Sequence, residues 1–220
     1  MRIRIDFSAN QATIPYSHQH YLTGVIHKWL GQNKLHGAIS LYSFSRLEGA
    51  KNTRDGLRFG NKGSFCFSAH NPEVVNSLIK GIFKDKILFS GLSVDEISVI
   101  ENPEFENVTE AYFHINSPVL IKRLVDGKSI HYLYTDEKAD ELLRETLLNK
   151  MAQVGLTDDE LEIKFDRSYP KASTKLVDYD GIKNRANWCP VLVKGKPETL
   201  LFAWNVGLGS STGIGFGAIR

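Results

Sequence analysis

The sequence predicts an α+β protein built from two successive β-α-β-β-α-β units, the second of them incomplete. Three observations carry that expectation. Short runs of alternating apolar and polar residues open and close the first hundred positions. Two stretches between them repeat their apolar residues at helical spacing. A polar, proline-bearing segment at 102–107 then separates this half from a second set of the same patterns.

Residues 1–7 place Ile3, Ile5 and Phe7 on one face and Arg2, Arg4 and Asp6 on the other, the period of a half-buried strand. Ser17 offers an N-cap to a helix whose Leu22, Val25, Ile26, Trp29 and Leu30 recur at helical spacing until Gly31 stops it. Residues 39–47 and 63–68 read as strands, the latter setting Ser64, Cys66 and Ser68 against Phe65 and Phe67. Asn71-Pro72-Glu73 starts a second helix: Asn caps, Pro suits the first helical position, and Glu meets the positive end of the dipole. Val74, Val75, Leu78, Ile79, Ile82 and Phe83 form its expected buried stripe, and residues 94–100 return as a strand. That order is ferredoxin-like.

In the second half Ala111, Phe113 and Ile115 alternate, and 136–151 is helical with Ala139, Leu142, Leu143 and Leu147 in register. Leu161, Ile163 and Phe165 alternate again, and 174–179, 188–193 and 200–206 read as strands. No second helix is readable here, and a glycine-rich tail stands partly in its place. The expected fold is therefore two tandem ferredoxin-like (RRM-like) domains, 1–103 and 108–220, the second incomplete.

With 42% hydrophobic and 24% charged residues the chain is globular rather than disordered. The longest apolar run, 200–204, is far too short to cross a bilayer, and Arg2, Arg4 and Asp6 occupy the place of a signal peptide's apolar stretch, so a cytoplasmic protein with no membrane partner is expected. Cys66 and Cys189 show neither metal spacing nor a disulfide framework, and Asp158, Asp159 and Glu160 read as a helix-terminus or loop cluster; no metal and no cofactor are expected. A net charge of +2 by itself says little about a polyanionic partner, since that depends on where Lys and Arg lie.

The tail carries more information. Gly207-Leu208-Gly209 and Gly215-Phe216-Gly217 are two Gly-apolar-Gly triplets separated by five residues that include Ser210, Ser211 and Thr212. Glycines let a backbone approach another molecule closely, and such a loop can offer N–H groups and hydroxyls to phosphate oxygens. A dinucleotide fingerprint is excluded, because it needs a following helix and an acidic residue about twenty positions on. A nucleotide-binding module remains a weaker alternative.

Taken with Pro15-Tyr16-Ser17-His18-Gln19-His20-Tyr21-Leu22-Thr23-Gly24 near the other end, this tail resembles the CRISPR-associated, repeat-cleaving endoribonucleases of the RAMP superfamily. The resemblance implies tandem ferredoxin-like domains and a metal-independent endoribonuclease that binds CRISPR repeat RNA. Such an enzyme cleaves precursor CRISPR RNA by 2′-hydroxyl attack, leaving a 2′,3′-cyclic phosphate, and its product passes to a CRISPR interference complex. A non-cleaving RNA-binding member of the superfamily, acting as carrier or complex subunit, is the alternative. A homodimer is compatible with the chain, whose oligomeric state the sequence leaves open.

Metal-free RNA cleavage needs a base for the 2′-hydroxyl, an acid for the 5′-oxygen and a charge for the phosphorane, so histidines are the first candidates. His20 and His27 fall about 20° apart on the outward face of the first helix, whereas His18 falls on its apolar side and reads as a structural histidine. The resemblance puts a general-base histidine in the loop that holds His36. It also marks two departures: His27 stands where a well-known version of the family's triad has tyrosine, and Ser40 stands where a lysine is expected. His36 and His27 are therefore the acid–base candidates, in either order, with Ser40, Lys34 or Lys28 helping to hold the phosphate. Tyr42 shares a strand face with Ser40. For RNA binding the candidates are Gly207, Gly209, Gly215 and Gly217, Lys28, and the 183–188 hairpin segment with Lys183, Arg185 and Trp188, supplemented by Arg2, Arg4, Lys171 and Lys175.

Overall fold

The computed structural model describes residues 1–8, 12–31 and 39–220. His36 and Lys34 lie outside the described residues. The chain folds as a mixed α+β protein with antiparallel sheets, in the order β1 (Arg2–Ser8), α1 (Gln19–Leu30), β2 (Tyr42–Phe44), β3 (Glu48–Thr53), β4 (Gly56–Ala69), α2 (Pro72–Lys84), β5 (Ser93–Ile100), β6 (Glu110–Phe113), β7 (Lys122–Val125), β8 (Lys128–His131), α3 (Ala139–Ala152), β9 (Glu162–Phe165), β10 (Ser173–Tyr179), β11 (Ile182–Trp188), β12 (Val191–Lys194) and α4 (Pro197–Val206). No helix among the described residues is long and apolar enough to cross a membrane.

Because Ile3, Ile5 and Phe7 alternate along β1, that strand can bury one face while both its edges pair, to β4 on one side and β5 on the other. The sheet runs β2-β4-β1-β5, and the long β4 continues past it to form a hairpin with β3. Residues 39–47 are thus not one strand, and β3 was hidden because its alternation is mostly polar and exposed. Asn71 caps α2 as expected, its side-chain oxygen accepting the Glu73 N–H at 2.9 Å. Only Val75, Leu78 and Ile82 of the expected stripe are fully buried; Phe83 is 72% exposed, at the outer margin of the apolar face. The cap of α1 is His18 rather than Ser17 and makes no side-chain cap hydrogen bond. Helices α1 and α2 meet at Gly81, whose Cβ position is filled by the Trp29 backbone, and Trp29 Nε1 donates to Asp85 O at 2.7 Å.

In the second half β12 lies between β6 and β9. Beyond β6 the chain end adds a further edge: His114 N–H donates to Arg220 O and Arg220 N–H to His114 O, each at 2.8 Å, around an Ile115–Ile219 bridge. The largest difference from the sequence reading is α4, which occupies the stretch expected as a strand over 200–206 and supplies the second helix thought to be missing. Its Thr199, Leu200, Phe202, Ala203, Asn205 and Val206 are all buried, so no polar face displays a helical period. The signals were at its start, with Pro197 in the first turn and Glu198 beside it. The predicted 188–193 strand is two elements, broken around Pro190 between β11 and β12.

Among the described residues two large apolar clusters result, one around Ile3, Phe65 and Leu78, the other around Leu143, Val191 and Phe202, with a small third around Val177, Ala186 and Phe216. Arg2 stitches the halves together. Its guanidinium sits 3.6 Å over the Trp204 ring and donates to Ile219 O at 2.7 Å and to Trp204 O, and burial pulls its pKa down to about 10. Expected on a polar outer face, Arg2 is 3% exposed, because the tail packs over that side of β1. Arg4 stays outside, paired with Asp6 at 3.0 Å.

Candidate functional site

The first wall of the site is the outward flank of α1. The apolar stripe of the helix, with Leu22, Ile26 and Trp29 buried, turns His27 away from the core, where it is half-buried against the start of β2. There His27 Nε2 stands 3.3 Å from Tyr42 Oη, and the tyrosine hydroxyl donates to Gly213 O at 3.4 Å. Burial raises the Tyr42 pKa; a hydrogen bond from Ser40 opposes that rise, and nearby Tyr179 adds to it. The phenol is therefore neutral at physiological pH and serves as a relay of hydrogen bonds.

The second wall is the glycine tail, which turns through a short 3-10 segment at Thr212–Ile214. Ser40 and Tyr42 press against Gly213, where a Cβ would strike Ser40 Oγ. Gln19, 1% exposed, reaches from the start of α1 to donate to Ile214 O and Gly215 O, both at 3.3 Å. Gly215 has φ +86°, and its Cβ position is taken by Gln19 itself and by Phe44. A Cβ at Gly207 would lie 2.5 Å from Gly217 O and 2.9 Å from Ser43 Cβ. The amides of Gly207, Gly215 and Gly217 donate to Ala203, Thr212 and Pro118 carbonyls respectively. At these three positions glycine is required by contact with the protein's own backbone and side chains. Gly209, at φ +77°, is held as closely, since a Cβ there would lie 2.5 Å from Leu120 O, and it also lines an open cleft.

That cleft, about 480 Å³, lies between α3 and the tail and is lined by Ser40, Arg123, Asn149, Lys150, Ser210 and Ser211 among others. Lys150 is 3% exposed and donates only to neutral oxygens, Thr212 Oγ1 at 3.1 Å and the Val206 and Gly207 carbonyls at 3.4 Å. Burial pulls its pKa down to about 7. Sequence reasoning missed Lys150, although a signal was available: it follows Leu143 and Leu147 on the face that α3 buries.

The structure brings His27, Ser40 and the tail together and separates Lys28 from them. Lys28 Nζ pairs with Asp85 at 2.9 Å and donates to Ile87 O at 2.8 Å, on the flank of α1 that faces away from the tail. Lys183 and Arg185 are exposed on β11, whose hairpin with β10 covers the tail through Val177, Ala186 and Phe216. Arg185 is steadied by Thr174 Oγ1 at 3.3 Å. His18 is buried, its Nδ1 bonded to Pro15 O at 2.9 Å. A second cleft of about 570 Å³ runs between the two halves, with Tyr16, Arg46, Lys175, Trp188 and Arg220 in its walls. Asp158 does hold a helix terminus: it accepts Lys196 N–H at 2.7 Å and Thr199 Oγ1–H at 2.6 Å at the start of α4.

A family model described as CRISPR associated protein Cas6, C-terminal, matches residues 100–220. The chain is 24% identical over 225 residues to the CRISPR-associated endoribonuclease Cas6 of Pyrococcus furiosus, spanning 94% of this chain and 83% of that one. It is 24% identical over 247 residues to the CRISPR-associated endoribonuclease Cas6 1 of Methanocaldococcus jannaschii, spanning 100% of this chain and 92% of that one. A solved structure of a RAMP protein binding different RNA substrates shares the fold, with a TM-score of 0.86 at 20% identity over 100% of this chain and 98% of its own. Matched by that family's model over more than half of its length, the chain belongs to the Cas6 family of CRISPR-associated proteins.

Proposed function

We propose that this protein is a metal-independent endoribonuclease that binds CRISPR repeat RNA and cuts precursor CRISPR RNA in the cytoplasm, releasing guides to an interference complex. Both halves fit ferredoxin-like domains, divided near residues 103–108. The β2-β4-β1-β5 order supports this for the first, and α3, α4 and the β9-β12-β6 sheet completed by the chain end support it for the second. The observation that carries the catalytic reading is the juxtaposition of His27, Tyr42, Ser40 and the tail at one edge of α1.

In this mechanism a base takes the 2′-hydroxyl proton, the 2′-oxygen attacks phosphorus, and the bond to the 5′-oxygen breaks as an acid protonates that leaving group. The products are a 2′,3′-cyclic phosphate and a 5′-hydroxyl. The 3.3 Å contact to the Tyr42 hydroxyl holds the His27 ring at the edge of the tail, and in this reading His27 is the acid of the pair. His36 then serves as base, with Ser40 and Lys34 steadying the phosphate. The Lys183 and Arg185 surface of β11 and the cleft holding Arg46, Lys175, Tyr16 and Trp188 combine cations with aromatic faces, the chemistry of single-stranded RNA tracks.

The test is single-turnover cleavage of end-labelled repeat RNA in EDTA, with product ends identified by phosphatase and kinase treatment. Cyclic-phosphate and 5′-hydroxyl ends are expected. Tight binding without any cut would replace this reading with a non-cleaving RNA carrier.

A further inference from the structure

We propose that the cleft between α3 and the glycine tail is a phosphate-binding subsite, in which Lys150 and Arg123 receive a backbone phosphate of the RNA whose cleavage is proposed above. A lysine at a buried helix position is unfavourable unless something offsets its lost hydration. Here three neutral oxygens do so in part, at 3.1–3.4 Å. Two of them are carbonyls at the C-terminal end of α4, where the helix dipole favours a cation. Among the described residues no carboxylate pairs with Lys150, and none lines the cleft. The ammonium therefore lacks a full counter-charge, and the lowered pKa described above is the expected consequence.

Arg123, from β7, stands against α3 one turn before Lys150 and also lines the cleft. It is held by Leu142 O at 2.8 Å, Thr146 Oγ1 at 3.1 Å and Glu145 at 3.2 Å, so the pair of cations keeps one uncompensated positive charge facing the cleft. Ser210 and Ser211 add hydroxyls, and Ser211 holds a left-handed φ of 61°, a conformation sparsely used by side-chain-bearing residues. An anion with several acceptor oxygens matches this donor set, and a phosphodiester supplies the missing charge. Ser40 lines the cleft and also touches Gly213 beside Tyr42, so a strand seated here lies next to the His27 side of the tail. Lys150 would thereby supply, from α3, a charge at the site where Ser40 stands in place of the expected lysine.

The inference rests on the endoribonuclease reading, and the experiment separates the two. Lys150→Met fills the same volume without charge. Its affinity for repeat RNA should fall by about tenfold or more at low salt, and the slope of log K against log salt should shrink by about 0.7, the loss of one phosphate contact on a single strand. Its melting temperature should change little, because relief of the buried charge offsets the lost hydrogen bonds to Thr212 and the end of α4. Arg123→Gln, at a partly exposed position, should weaken binding in the same direction. A set of repeat RNAs, each with one neutral methylphosphonate, should show one linkage whose neutralisation weakens wild-type binding and no longer weakens Lys150→Met binding. That scan reads out whether or not the wild type cuts, so absence of cleavage would overturn only the function. Native affinity and salt slope in Lys150→Met, or no linkage at which the two proteins differ, would reduce Lys150 to a clamp on the end of α4 and overturn the subsite.

Discussion

Acid should unfold this protein partly through one residue. His18 is 1% exposed, its Nδ1 hydrogen is given to Pro15 O at 2.9 Å, and its Nε2 has no hydrogen-bond partner among the described residues. A proton arriving at Nε2 would be buried without an acceptor and near Arg46, so the folded-state pKa falls from 6.5 to about 4, with burial the largest cause. The unfolded chain takes up that proton at its ordinary pKa and the folded chain does not, so stability drops as pH drops through this window. Linkage over the two values gives a loss of about 2 kcal/mol between pH 7 and 5, approaching about 3 kcal/mol near pH 4. For a domain whose total stability is on the order of 5–15 kcal/mol, that is a substantial fraction. Urea titrations of wild type and His18→Gln at pH 7, 6 and 5 measure it directly, since the variant cannot titrate there while the other histidines respond alike in both. The wild type should lose about 2 kcal/mol more than the variant between pH 7 and 5. Parallel curves would refute the argument and mean that water or local motion satisfies Nε2 in solution. The result also sets the lower limit for pH–rate work on cleavage, where a falling rate must be separated from unfolding.

Four further outcomes are expected. His27→Ala should slow single-turnover cleavage by about 10²-fold with affinity within a few-fold, and should remove one limb of a bell-shaped pH–rate profile; an unchanged profile would return His27 to a solvated helix face. Gly215→Val combines a left-handed φ with a Cβ placed on Gln19 and Phe44, so it should lose about 2–5 kcal/mol, read as a lowered melting temperature with native RNA affinity in the fraction that remains folded. A stable variant with weakened affinity would instead assign this glycine to RNA contact. Trp188→Ala should weaken binding of single-stranded repeat RNA by about 1–3 kcal/mol if a base stacks in the cleft between the halves, and equal affinity would place the RNA elsewhere. Asp158→Ala leaves the Lys196 amide and Thr199 hydroxyl without their acceptor and should cost about 1–3 kcal/mol in urea unfolding with no change in RNA affinity per folded molecule.

The elements that were legible in the sequence are those with one wet face. β1 shows its burial in the alternation of Ile3, Ile5 and Phe7, and α2 announces itself through the Asn71 cap and the Val75, Leu78, Ile82 stripe. α4 was not legible for the opposite reason, being buried nearly all round, so that its apolar composition read as a strand and outweighed the Pro197 start. The β7–β8 hairpin escaped because its strands are short and exposed, yet Asp126-Gly127 carries the turn signal, with φ of 50° and 74°. Within the site, His27 could be named from helical spacing along α1, and Ser40 from the resemblance, which expects a lysine at its position. Their meeting with Gly213, and the burial of Arg2 under Trp204, depend on partners roughly two hundred positions away, and no periodicity reports those.

This distance also explains how the site is kept in shape. The tail that carries Gly213 is held from both halves at once: Gln19 from α1 at Ile214 and Gly215, Lys150 from α3 at Thr212, and the Leu120 carbonyl accepting Ser210 N–H at 2.7 Å. The final residues then close the second sheet against His114 and Asn116. Since the amides of the motif glycines are largely spent on these contacts, their rigidity serves to fix Gly213 and, through it, the Tyr42–His27 pair. Proton transfer over hydrogen-bond distances depends steeply on geometry, so a loop anchored on both halves of the chain gives a more constant separation than one anchored on either alone. On the proposed reading the glycine motif shapes the edge at which His27 and Ser40 would meet the RNA, while Ser210 and Ser211 within it add hydroxyls and the lysines and arginines of α3, β7 and β11 add charge.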